Sequence, residues 1–72
     1  METITQAQYN TLLNGQIPLT LDKHIKSDIQ YTKTILLTQQ NNNHYLECIE
    51  LDELCQEEIA EIQQRGTLIT IS

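Results

Sequence analysis

Between residues 47 and 61 the chain carries seven carboxylates and no base: Glu47, Glu50, Asp52, Glu53, Glu57, Glu58 and Glu61. Carboxylates can act as general acids or bases in a pocket that shifts their pKa values, and they can mimic phosphates on a surface that meets a basic partner. Cys48, Cys55, His24 and His44 are the remaining side chains suited to metal binding or nucleophilic attack. Their spacing argues against both. His44 and Cys48 would share one face of a strand, where four residues span roughly 13 Å, whereas ligands of one zinc ion must each lie within about 2.3 Å of it. Cys48 and Cys55 lack C-x-x-C spacing, although a disulfide from strand end to helix start is conceivable where geometry allows. The only glycines, Gly15 and Gly66, stand where helices end, so no glycine-rich phosphate loop exists. The only serines are Ser27 and Ser72, so a serine triad would have to use a turn residue or the terminus. The expectation is a protein without enzymatic activity, metal or cofactor.

Those residues need a scaffold, and 72 residues allow one domain, spanning 1–72. Ten Ile and ten Leu supply enough apolar volume for a core without a disulfide or metal staple. The first element is a helix over about 6–13. Thr5 and Gln8 form a capping box, Ile4 and Tyr9 a hydrophobic staple, and Asn14-Gly15 a stop. Ile17, Leu19 and Leu21 alternate as in a strand, with Pro18 placing it at an edge. Residues 22–28 read as a turn or a single helical turn.

The middle of the chain predicts a β-hairpin. Residues 29–39 and 44–50 are rich in Thr, Ile, Leu and Tyr, and the Asn-rich stretch between them tolerates positive φ. Ile29, Tyr31, Ile35 and Leu37 are the expected inward residues, facing Leu46 and Cys48 or Tyr45 and Ile49. A second helix is predicted over 53–64, capped by Asp52 and ended by Arg65-Gly66, with Leu51, Leu54, Cys55, Ile59 and Ile62 as its apolar stripe. A strand over 67–71 closes the chain. The fold class is therefore α+β, in the order α-β-β-β-α-β. A small antiparallel or mixed sheet of three or four strands would carry two helices on one face.

Charge narrows the function. Ten acids against four bases give a net charge of −6, too few bases for a face that binds DNA or RNA directly. An anionic membrane surface is disfavoured on the same ground. No apolar run approaches the roughly 20 residues of a membrane span. The N-terminus lacks the pattern of an export signal, so a cytoplasmic location with reduced thiols is expected. On a continuous helix Glu53, Glu57 and Glu61 would stack about 6 Å apart, forming an anionic ridge.

Such a ridge fits a basic groove on a larger protein, or serves as a solvated face. In general character, by size and charge alone, the chain resembles the small inhibitors that phages and mobile elements direct against host defence nucleases, such as anti-CRISPR proteins. The resemblance implies an inhibitor or adaptor that masks the basic, nucleic-acid-binding surface of a protein or nucleoprotein complex. Two other roles suit the same residues. One is a self-associating structural or regulatory module, a homodimer paired through a sheet edge at Leu68-Ile69-Thr70-Ile71 or Ile17–Leu21. The other is an antitoxin-like subunit that neutralises a basic toxin.

Overall fold

The computed structural model describes all 72 residues. Strand β1 (Glu2–Ile4) leads into helix α1 (Gln6–Leu13) and helix α2 (Lys23–Thr32). Strands β2 (Thr34–Gln40) and β3 (Asn43–Cys48) form the hairpin, and a 3₁₀ turn (Leu51–Glu53) precedes helix α3 (Gln56–Arg65) and strand β4 (Thr67–Thr70). The sheet is antiparallel throughout, in the order β1-β3-β2-β4. The protein is thus an α+β fold around a central hairpin, with its final strand where the sequence places it and its final helix beginning three residues later than expected, at Gln56.

β2 organises the packing. Its residues Thr34 to Leu37 are buried in succession, and Ile35, Leu36 and Leu37 are at most 2% exposed. Alternate residues of a strand point to opposite faces, so an uninterrupted buried run requires cover on both. On one face, Ile35 and Leu37 join Ile4, Leu12, Leu21, Ile29, Leu46 and Ile71 under α1 and α2. On the other, Leu36 packs with Ile49 and Ile62 under α3, with Leu51, Leu54 and Leu68 at the margin. The helices that share a face are therefore α1 and α2, while α3 lies opposite. Burying one Leu such as Leu36 is worth about 1.5–3 kcal/mol, so α3 is held by real apolar contact.

Local signals account for most of the element ends. Thr5 Oγ1 accepts the Gln8 N–H at 3.1 Å while Gln8 Oε1 accepts the Thr5 N–H at 2.9 Å, which is the complete capping box. At the other end of α1, Gln16 N–H donates to Thr11 and Gly15 N–H to Leu12, with Gly15 at φ +78°. This is a Schellman stop. The hairpin turns through Asn41 and Asn42 at φ 52° and 67°, the doubly positive geometry of a two-residue type I′ turn.

Two segments depart from the sequence reading. Residues 17–21 form a loop in which Leu19 is 91% exposed, and the extra strand is instead Glu2–Ile4. Residues 23–32, read as a turn running into a strand, form α2: Asp22 Oδ1 caps His24 N–H at 2.7 Å, and Leu21, Ile25 and Ile29 recur every fourth residue against the core. Tyr31 consequently points away from the core and is 81% exposed. The hairpin register places Leu46 and Cys48 with Ile35 and Leu37, the first of the two expected pairings.

α2 ends at Lys33, whose φ of 62° puts a β-carbon in left-handed space, a conformation that costs about 1–2 kcal/mol. Lys33→Gly removes that penalty and adds about 0.4–1 kcal/mol of unfolded-state entropy. The variant should therefore gain about 0.5–1 kcal/mol and unfold at higher urea; a lowered midpoint would contradict this account. Gly66 has a different requirement. Its backbone is extended, and a β-carbon there would run into the Leu37 carbonyl oxygen and lie 2.6 Å from Thr38 Cγ2. Gly66→Ala should lower stability by about 1–3 kcal/mol through overpacking where α3 joins β4, measured as a fall in urea midpoint with native far-UV circular dichroism retained. An unchanged midpoint would show that α3 and β2 are not in close approach.

Candidate partner-binding surface

The acidic segment does not form one straight ridge. After β3, Leu51–Glu53 takes a 3₁₀ turn, and Leu54 and Cys55 are extended before α3 begins at Gln56. The break has a packing cause. The 3₁₀ turn superposes residues three apart, so Leu51 and Leu54 both face the Leu36–Ile49–Ile62 cluster while Asp52 and Glu53 point to solvent. Asp52 is therefore not the cap of the final helix, and Glu53 does not stack with Glu57 and Glu61. Those two remain neighbours on α3 at i and i+4.

The N-cap of α3 is Cys55, whose backbone N–H donates to Glu58 Oε1 at 3.1 Å. That hydrogen bond from the Cys55 backbone, with a further contribution from the Cys55 side chain, holds the Glu58 carboxyl below its ordinary pKa. Glu57 and Glu58 both lie in the first turn of α3, where the positive pole of the helix favours anions. Part of the acidic run is therefore explained by helix stability alone.

The seven acids are otherwise turned outward: Glu50, Asp52, Glu53, Glu57, Glu58 and Glu61 are exposed, and Glu47 on β3 is half-buried. The fold adds carboxylates that the linear run does not contain. Glu2 of β1, Asp28 of α2 and Glu47 of β3 line one hollow of about 210 Å³ beside Ile25, Leu46 and Cys48. Glu50 and Asp52 line another of about 310 Å³, together with Tyr31 and Thr34. Both hollows lie at the end of the sheet remote from the hairpin tip. The C-terminus of α2, with its negative pole, is directed to the same end. Topology thus gathers acids from four segments where the sequence shows them only in one. Their convergence follows from the β1–β3 pairing and from α2, neither of which the sequence reading contained; the four-residue repeat of Leu21, Ile25 and Ile29 was the available signal.

The bases are distributed differently. Lys23, His24 and Lys26 lie in the first half of α2, and Arg65 at the end of α3 reaches a groove near the hairpin strands, beside Thr38, Gln39 and Glu47. Lys33 is the base that follows α2 at the acidic end.

No protein-family model, curated protein or solved structure matches the chain. What the surface can do therefore rests on its own chemistry.

No group of three or more His, Cys, Asp or Glu side chains is placed to hold a metal ion. Cys48 and Cys55 are free thiols, so the conceivable disulfide is not formed. Burial pushes the Cys48 thiol above its ordinary pKa; a hydrogen bond with the Thr32 side chain opposes this, and Asp28, Glu2 and Glu47 reinforce it. A thiol held protonated is a poor nucleophile. His44 is buried against the Tyr9 ring, with centroids 4.8 Å apart, and His24 is exposed on α2. No helix is long and apolar enough to cross a membrane.

Because the folded pKa of Glu58 lies below its unfolded value, its stabilising contribution is present above the ordinary carboxylate range and is lost as pH falls through the folded value. Glu58→Gln keeps the capping geometry without the titration. Urea midpoints measured from neutral to acid pH should fall more steeply for wild type than for Glu58→Gln. Parallel pH profiles would contradict a structural role for this carboxylate.

Proposed function

We propose that the protein is a small acidic inhibitor or adaptor that docks on a basic, nucleic-acid-binding surface of a larger protein or nucleoprotein complex. The observation that carries this reading is the gathering of Glu2, Asp28, Glu47, Glu50 and Asp52 from separate segments around two neighbouring hollows at one end of the sheet. Exposed carboxylates in that arrangement offer the partner a phosphate-like field, and competition with nucleic acid follows from shared sites. An inhibitor of the kind that phages and mobile elements direct against host nucleases, of the anti-CRISPR type, would use this chemistry.

Tyr31 supports the reading from another direction. It stands beside Glu50 and Asp52 and is 81% exposed, and an exposed tyrosine among charges has the form of an interface anchor. Its exposure contributes nothing to the core. The surrounding carboxylates would steer the encounter and set the salt dependence, and the ring would supply buried contact area.

Affinity capture of the tagged protein from nuclease-treated lysate should retain a nucleic-acid-binding protein at low salt and release it at high salt. Replacing Glu2, Asp28, Glu50 and Asp52 together by their amides should abolish that capture, and Tyr31→Ala should weaken it by about tenfold or more, while both variants keep the wild-type circular dichroism. Capture of the same proteins by the amide variant would overturn the proposal.

A further inference from the structure

Five asparagines stand in the chain, and only Asn14 is followed by glycine. The amide carbon of an asparagine side chain can be attacked by the backbone nitrogen of the next residue, which closes a five-membered ring. Glycine leaves that nitrogen unshielded, because it carries no β-carbon. Asn14-Gly15 is thus the pair in this chain best suited to modify itself. It follows the last residue of α1, and Asn14 is exposed to water there.

The folded geometry holds the reaction off in three ways. Gly15 N–H, on the attacking nitrogen, donates to the Leu12 carbonyl at 2.9 Å. Asn14 Nδ2, the leaving group, donates to the Asn10 carbonyl at 3.2 Å. Asn14 sits at ψ 5°, which swings the Gly15 nitrogen away from the Asn14 β-carbon, whereas ring closure needs those two atoms eclipsed. The surroundings lock the turn in this form. Leu12, in the last turn of α1, is fully buried in the larger core cluster. Gly15 lies so near β4 that an added β-carbon would stand 3.7 Å from the Thr70 carbonyl oxygen. Releasing Gly15 therefore means lifting the end of α1 off the core.

We propose that Asn14 is a self-modification site gated by the fold, converted to aspartate or isoaspartate when the end of α1 opens. In the open chain the Gly15 nitrogen bonds to Asn14 Cγ, the Cγ–Nδ2 bond breaks, and the Gly15 amide proton departs with Nδ2 as ammonia. Water then opens the cyclic imide. Attack at the side-chain carbonyl gives aspartate. Attack at the backbone carbonyl gives isoaspartate, whose main chain runs through the β-carbon and is one atom longer. Both products place a carboxylate at the negative pole of α1, within residues 3–21, which otherwise contain no Asp, Glu, Lys or Arg. Isoaspartate also displaces Gly15 and Gln16, whose N–H groups close the Schellman stop. Conversion thus favours the opening that permitted it, and the chain keeps a lasting chemical record of time spent open.

Peptide mass mapping of the full chain, incubated at mildly alkaline pH with and without urea, tests the assignment. In urea Asn14 should be the first asparagine to convert, read as a gain of one mass unit and as isoaspartate in its fragment. Without urea its conversion should be slower by about tenfold or more, the margin that the buried last turn and its hydrogen bonds provide. Thr5→Ala removes the capping box at the start of α1 and should speed conversion in the folded chain about fivefold, with the rate in urea unchanged. Equal rates with and without urea would overturn the proposal, as would a folded Thr5→Ala variant that converts at the wild-type rate. Capture of a basic partner by freshly prepared protein does not depend on Asn14, so this result and the functional one can fail separately.

Discussion

Burial of β2 on both faces is the constraint on which the rest of the molecule depends. Ile35 and Leu37 require one apolar layer and Leu36 requires another. Two short helices meet the first requirement. α3 meets the second, with help from the 3₁₀ turn that brings Leu51 and Leu54 to the same cluster. A chain of this size buries a modest share of its surface, and dividing its apolar residues between two small cores leaves neither with much in reserve. Gly66 belongs to the same constraint, because α3 can return to β4 across the sheet only where the backbone passes close to Leu37 and Thr38.

That architecture also sorts the charge. α3 must cover Leu36 with Ile62, so its acids turn outward, and the first-turn pair is favoured by the helix pole. α2 and β1 bring Asp28 and Glu2 to the strand end where Glu47 already stands. The uncharged stretches fall on the opposite margin, around β4. One end of the molecule thereby gathers carboxylates from four segments, while the β4 margin carries none.

Much of the fold was legible where the signal is local. Thr5, Gln8 and Asn14-Gly15 bounded α1, the Asn-rich turn placed the hairpin, and the apolar pattern after Gly66 gave β4. The reading failed where tertiary context outweighs propensity. Ile29, Tyr31 and Thr32 are good strand formers, yet they sit in α2 because Leu21, Ile25 and Ile29 make a helical stripe that two-residue alternation hides. β1 is three residues long, too short to leave a pattern. The acidic run was visible as composition, but its geometry was not: Leu51 and Leu54 satisfy a helical stripe and a 3₁₀ turn equally well, and only the position of the Leu36 cluster decides between them.

Methyl-to-methyl nuclear Overhauser effects on a selectively labelled sample test the two-sided burial of β2 most directly. The account predicts that Leu36 methyls show contacts to Ile49 and Ile62 but none to Leu12 or Ile29, while Leu37 and Ile35 show the reverse. Leu36 contacts to the α1 and α2 cluster, or no contact between Leu36 and Ile62, would contradict it and would remove the reason for the acidic face of α3 to point outward.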